Sequence, residues 1–245
     1  MKLCDIHTHI LPSIDDGPDT IQETVEIIKL SRMQNVFNIV ATPHKKDVNE
    51  SGTIGKIQQL ITELRSIIVH DGLDINVLLG MENHVDDKLP EDIKKGNALS
   101  INNSRFILVE MPYTTDLGDS EQNLLNVQKL GYVPVIAHPE RMVIFQKDPG
   151  LLRKFVSNGM LTQITSGSLI GKFGDDAKTY AESIFTEDIG HVLSSDTHMT
   201  AGWRAPDLLQ GYELLKSALG IRKATHIVCT NPLNIINNSA VIKFR

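Results

Sequence analysis

Short apolar runs alternate with longer amphipathic stretches along the whole chain, which is the pattern of repeated strand–helix units around a parallel sheet. Seven strands are predicted, at Leu3 to Ile6, Phe37 to Ala41, Ile75 to Gly80, Phe106 to Val109, Val133 to Ala137, Leu161 to Ile164 and Val192 to Ser194. Between them run amphipathic stretches from Ile21 to Gln34, Gly55 to Val69, Ser120 to Leu130, Leu151 to Asn158, Asp175 to Asp188 and Pro206 to Leu219, with a last helix over Pro232 to Asn237. Thr20 and Glu23 have the spacing of a capping box at the start of the first helix. Lys45 to Gly52 and Met111 to Gly118 read as short loops with no evident lid. No linker, repeat or low-complexity segment interrupts the alternation, so residues 1–245 are expected to form one domain, an α/β fold closed as a (β/α)7 barrel.

Composition narrows the partners. With 41% of residues apolar and 22% charged, the chain can bury a sizeable core. A formal net charge of −6 offers none of the basic surface that nucleic acid requires. No apolar run approaches the roughly 20 residues of a membrane span, so no membrane insertion is expected. The start, Met-Lys-Leu-Cys-Asp-Ile-His, turns polar too early for a signal peptide, which makes the expected location cytoplasmic. Cys4 and Cys229 lie at opposite ends of the chain, and each reads as a small buried hydrophobe.

The candidate chemistry sits at the strand ends. His7 and His9 follow the first strand, His44 the second, Glu82 the third, Glu110 the fourth, His138 the fifth, and Asp196 and His198 the seventh. In a parallel barrel the C-terminal ends of all strands open on one face, so these metal-ligand residue types are expected to converge there. Two positions apart on an extended backbone, His7 and His9 point the same way and can share one ion, and Asp196 and His198 repeat that spacing. His84, two residues past Glu82, could face the same cleft, whereas His70, His191 and His226 lie away from strand C-terminal ends and read as structural. Imidazole and carboxylate without thiolate suit manganese, iron or zinc. A cysteine-based phosphatase is excluded, since its loop needs an arginine six residues past the cysteine and those positions hold Ile10 and Ile235.

The motifs Asp5-Ile-His-Thr-His-Ile-Leu-Pro, Asp15-Asp16-Gly17, Ala41-Thr-Pro-His44, Gly80-Met-Glu82, His138-Pro-Glu-Arg141, Ser166-Gly-Ser168 and Ser195-Asp-Thr-His198 run through about 200 residues in one order. The chain in this respect resembles the polymerase and histidinol phosphatase (PHP) superfamily, and within it the bacterial manganese-dependent tyrosine-protein phosphatases of capsule and exopolysaccharide clusters. The resemblance implies a distorted TIM-like (β/α)7 barrel of the PHP type with two or three divalent ions, manganese first and iron or zinc as alternatives. It implies that His7, His9, Glu82 and Asp196 hold one ion, that Glu82 bridges to a second held by Glu110 and His138, and that Asp16, His44 and His198 hold a third. Composition alone leaves Asp15 and Asp16 open, and the resemblance favours Asp16. Arg141 and Arg204 match the family's two phosphate-facing arginines, although Arg204 comes six residues after His198 where the family usually has five. Asn35 stands where the family has a glycine before the second strand.

The implied activity is hydrolysis of phosphotyrosine on a bacterial tyrosine autokinase that governs capsular or exopolysaccharide synthesis, compatible with a homo-oligomer. Divalent ions acidify a coordinated water and screen the phosphoryl oxygens, which relieves the two obstacles to attack on a phosphate monoester. A small-molecule phosphatase of the histidinol-phosphate type would share nearly every ligand. A non-catalytic scaffold of a polysaccharide assembly complex would be expected to have lost ligands, and an amidohydrolase would lack the Asp-Asp-Gly and the late Asp-x-His.

Overall fold

The structure, a computed structural model, describes residues 1–51 and 53–241. Among these residues eight parallel strands appear: β1 (Leu3–Thr8), β2 (Val36–Ala41), β3 (Asn76–Leu79), β4 (Asn83–His84), β5 (Phe106–Glu110), β6 (Val133–Ala137), β7 (Leu161–Thr165) and β8 (Val192–Ser194). They form two ladders, β1-β2-β3 and β4-β5-β6-β7-β8. β3 is the third strand expected from sequence; after Gly80-Met81-Glu82 the same stave resumes as β4, which that expectation did not include, so that its first half pairs with β2 and its second with β5. A Cβ at Gly80 would lie 3.2 Å from Val40 and 3.4 Å from the Ile101 backbone, so the break passes through a space that suits glycine.

The ladders close on each other at the other side. Asp196 N–H donates to His7 O at 3.0 Å, His9 N–H donates to Thr197 O at 2.9 Å, and Ile6 N–H reaches Ser194 Oγ. Across the break, Lys45 N–H donates to Glu82 O at 2.9 Å and Glu82 N–H to Pro43 O at 3.1 Å. The result is a seven-stave barrel with a seam in its third stave.

Period-two alternation along the staves sorts apolar residues into two clusters. Ile107, Val109 and Ile136 join the larger one, between sheet and helices, while Phe106, Leu108, Val135 and Ala137 join a smaller one enclosed by the staves together with Ile235 and Ile236. The enclosed face of β5 continues to Glu110, and that of β7 runs from Leu161 to Gln163, so the same alternation that fills the lumen delivers polar side chains to its mouth.

The helices follow the amphipathic stretches. Ile21–Met33 carries the expected capping box, with Glu23 N–H on Thr20 Oγ1 at 3.2 Å and Thr20 N–H on the Glu23 carboxylate at 3.1 Å. Ile54–His70, Ser120–Lys129, Pro149–Ser157, Asp175–Thr186, Leu208–Leu219 and Asn231–Ile236 are within a few residues of expectation. One expectation fails: Lys45–Ser51 is a helix where a loop was read, and Gly52 lies outside the described residues. Its first turn is anchored by Lys45, whose buried ammonium donates to Asp92 at 2.8 Å. No described helix is long and apolar enough to cross a membrane. Cys4 and Cys229 are buried free thiols, as their apolar surroundings suggested.

Candidate active site

The strand ends bring His7, His9, Asp16, His44, Glu82, Glu110, His138, Asp196 and His198 to one cleft at the mouth of the barrel, flanked by Arg141 and Arg204. The donor atoms fall into four overlapping groups, each within 4.8 Å of one another: His9, Asp16, His44 and His198; His7, His9 and Glu82; Glu82, Glu110 and His138; and His44, His84 and Glu110. Asp196 Oδ1 adds a carboxylate 3.5 Å from both His7 Nε2 and His9 Nε2.

Glu82, fully buried on the seam, touches the most partners. Its Oε1 lies 2.9 Å from His138 Nε2 and 3.3 Å from His7 Nε2, and its Oε2 lies 2.9 Å from His44 Nδ1 and 3.4 Å from His9 Nε2. The close His44 contact is misaligned for a hydrogen bond, leaving Glu82 Oε2 and His44 Nδ1 without a hydrogen-bond partner although both are buried. Two of the histidines are held by their outward nitrogens. His7 Nδ1 bonds Gln163 Oε1 and His9 Nδ1 bonds Asp15 Oδ2, each at 2.7 Å, so their Nε2 atoms face each other at 3.1 Å. With both imidazoles neutral these atoms present two facing lone pairs, which repel and which a shared cation would relieve. His198 is held likewise, Nδ1 donating to Asp196 O at 2.8 Å. Oriented imidazoles, an unpaired buried carboxylate oxygen and facing lone pairs are the features of a donor set that fits divalent ions.

The electrostatics agree. Burial disfavours charge on Glu82, yet the surrounding imidazoles outweigh it and hold the carboxyl well below its ordinary range. Burial likewise lowers His9, but Asp15 and Glu82 overcome it and raise the imidazole well above its usual value. His7 is raised against burial by Glu82 and Asp196. His198 goes the other way, lowered to about 4 by burial and by the neighbouring His9. In such a cluster the carboxylates outbid solvent for protons and positive charge, which is what a cation would supply.

Backbone geometry contributes. His138 and Asp196 sit just past β6 and β8 with φ of 31° and 54°, a left-handed conformation costing roughly 1–2 kcal/mol for a residue with a side chain. After His138 the chain makes a short turn over Pro139–Arg141, pinned by buried Glu140, whose Oε1 accepts from Thr165 N–H at 3.0 Å and Ser168 Oγ at 2.7 Å. The Ser166-Gly-Ser168 motif thus anchors the turn that carries His138 and Arg141. Gly17 completes Asp-Asp-Gly because a Cβ there would come within 2.4 Å of His9 O.

Asp15 and Asp16 divide their tasks. Asp15 faces away from the shared space, accepting from His9 Nδ1 and from His44 N–H at 3.1 Å, whereas Asp16 Oδ1 lies 3.1 Å from His198 Nε2 and 3.7 Å from His44 Nε2. Arg141 Nη1 donates to Asp196 Oδ2 at 2.6 Å, and Arg204 Nη1 donates to Asp16 Oδ2 at 2.7 Å, with its Nη2 against His198 Nε2. The additional residue before Arg204 is absorbed in a turn through Gly202, φ 88°, that returns Arg204 O to His198 N–H and Thr197 Oγ1. Asn35 takes φ 65° in the glycine position. His84 reaches the cleft with Nε2 3.0 Å from Glu110 Oε2. His191 is buried against Thr162, away from the cluster. Sequence reasoning left Asp15 undecided and missed Gln163, Tyr113 and the helix bearing Lys46 and Asp47, which line or support the cleft. Only Gln163 carried a signal, a polar amide inside a wholly buried strand.

Fold and site together define a parallel (β/α) barrel with a candidate polynuclear metal centre at the C-terminal ends of its strands. The family described as capsular polysaccharide synthesis, CpsB/CapC, matches residues 3–237, and the chain belongs to that family. It is similar to the putative tyrosine-protein phosphatase CapC of Staphylococcus aureus, 35% identical over 80% of this chain and 77% of that protein. The tyrosine-protein phosphatase YwqE of Bacillus subtilis is 33% identical over the same shares. Among solved structures, one described with YwqE from Bacillus subtilis and CpsB from Streptococcus pneumoniae as unique metal-dependent tyrosine phosphatases superposes with a TM-score of 0.91 at 28% identity, covering 99% of this chain and 97% of that one.

Proposed function

We propose that this chain, acting over residues 1–245 as one catalytic domain, is a metal-dependent protein-tyrosine phosphatase of a capsular or exopolysaccharide system. His7, His9 and Asp196 would hold one ion with Glu82, Glu82 would bridge to a second held by Glu110 and His138, and Asp16, His44 and His198 would hold a third. Manganese is the proposed ion, and iron or zinc suit the same donors. When bound, such ions supply an acidified water and positive charge against the phosphoryl oxygens.

The observation that carries the reading is the pair of guanidinium groups, Arg141 on Asp196 and Arg204 on Asp16, at the edge of the donor cluster. A hydrolase acting on neutral amides has no use for two forked cations there, whereas a phosphate dianion offers oxygens to both. The chain's own part is to orient the phosphoryl group through Arg141 and Arg204 and to fix the imidazoles through Asp15, Gln163 and the Asp196 carbonyl. A phenolate leaves with a pKa near 10, so a dedicated general acid is not required. The proposed substrate is the tyrosine-rich tail of a bacterial tyrosine autokinase, met in the cytoplasm and supported by the family. The test is kcat/KM of manganese-loaded protein on a phosphotyrosine peptide, a phosphoserine peptide and histidinol phosphate. Preference for the first is expected, and a clear preference for histidinol phosphate overturns the reading.

A further inference from the structure

Among the described residues, two aromatic side chains of Phe, Tyr or Trp are exposed, Tyr113 at 60% and Trp203 at 53%; Tyr113 lines this cleft, and Trp203 lies beside Arg204, which lines it too. They belong to one belt in which two guanidinium groups are set among three aromatic rings. Arg141 Nη2 donates to the Tyr113 hydroxyl at 3.2 Å, and the Arg141 guanidinium lies 4.3 Å from the centroid of the half-buried Phe173 ring. Phe173 meets Trp203 edge to face at 5.5 Å, and Arg204 lies 5.5 Å from the Trp203 ring. Tyr113 is also stacked on the proposed ligand His138, with ring centres 6.2 Å apart. A second hollow, of about 590 Å³, opens beside the metal cleft, and the two share Tyr113 and Arg141 as a common wall, with Phe173 on the far side.

Exposed aromatic surface is unfavourable in water unless something covers it, and its confinement to the edge of an anion site is not what scattered surface residues would give. Each arginine is held over a ring while it faces the cluster, so a phosphoryl group bound to the arginines would have its substituent directed along aromatic surface. An alkyl phosphate would gain little there. A planar ring would gain offset or edge-to-face contact.

We propose that Tyr113, Phe173 and Trp203 form a subsite for the aromatic ring of an aryl phosphate, making them determinants of tyrosine over serine and threonine. The proposal rests on the phosphatase reading for its biological meaning, but ring recognition can be measured without turnover. Phenylphosphonate and methylphosphonate carry the same anionic head and differ only in the group that would meet the belt. Their dissociation constants on the metal-loaded protein are measured by calorimetry for the wild type and for Phe173→Leu and Trp203→Leu. Phe173→Tyr and Trp203→Phe serve as variants that keep a ring.

Wild-type protein is expected to prefer phenylphosphonate, and the leucine variants to lose about 3- to 10-fold of that preference while the ring-keeping variants retain it. Equal affinity of the wild type for the two compounds, or a preference unaltered by leucine, overturns the subsite. Phenylphosphonate selectivity without phosphotyrosine hydrolysis would leave the subsite standing and defeat the phosphatase assignment instead.

Discussion

Arg141 joins the proposed phosphate site to the proposed metal site through Asp196, Nη1 donating to Oδ2 at 2.6 Å, while Asp196 Oδ1 turns toward His7 and His9. One carboxylate therefore serves two neighbours with separate oxygens. Removing the guanidinium takes away a donor to phosphate without taking away a donor to metal. Arg141→Ala is expected to lower kcat/KM by about 100- to 1,000-fold with metal content unchanged, and Arg141→Lys to recover little of it because a point charge lacks the fork. Parallel kinetics and elemental analysis check this, and loss of metal from Arg141→Ala would show that the arginine supports the ion site instead.

Glu82 is the residue whose loss should cost most. Its two oxygens face His7 and His138 on one side and His44 and His9 on the other, so Glu82→Ala should lower bound metal by more than one equivalent per chain. Activity should fall by more than the roughly 10- to 100-fold that follows loss of an outer hydrogen-bond partner of a ligand. Unchanged stoichiometry in purified, metal-saturated Glu82→Ala would refute the bridging position.

Asp15 offers the contrasting case. It orients His9 and the His44 backbone from outside the cluster, so Asp15→Ala should weaken metal binding by about 10- to 100-fold yet recover much of its turnover at high metal concentration. Asp16→Ala should not recover, since its oxygens face His198 and Arg204 directly. Activity titrated against manganese separates the two, and identical curves would mean that both aspartates are ligands.

Asp5 gives a pH dependence. It is fully buried beneath His7, accepting from Ser195 N–H at 3.1 Å, and burial raises its pKa from 3.8 to about 6. Between those values the folded protein holds a proton that the unfolded chain has released, so this group's contribution to stability falls as pH rises through that window. The full gap corresponds to about 3 kcal/mol above pH 6. In chelator-treated protein, Asp5→Asn should be the more stable form at pH 7.5, with its advantage shrinking to nothing near pH 4. Urea unfolding at several pH values tests this, and a difference constant with pH would refute it.

The staves and most helices were legible because each obeys one period, apolar runs for β5 and β6 and the 3.6-residue stripe for Ile54–His70. The broken third stave was not, since Gly80 to Glu82 reads as the end of one strand and only pairing with β5 reveals the resumption at Asn83. Lys45–Ser51 was misread because its seven residues are mostly polar and carry no stripe. At the site, strand-end position was enough to collect the histidines and carboxylates, which owe their convergence to topology. Orientation was not legible. Whether Asp15 or Asp16 faces the shared space depends on the turn at Gly17, and the Tyr113–Phe173–Trp203 belt joins loops separated by up to 90 residues.

The seam in the third stave has a mechanical consequence. Strand pairing links β1-β2-β3 and, separately, β4 to β8, so the barrel consists of two shells that meet at β1/β8 and at Glu82. His7, His9 and His44 ride on the first shell, Glu110, His138 and Asp196 on the second, and Glu82 stands at the junction. Ions held by this set would act as rivets through both shells, and because they bind the assembled mouth far better than an unfolded chain, their affinity is added to the durability of the barrel. A cell that starves the protein of metal would then withdraw stability and activity together.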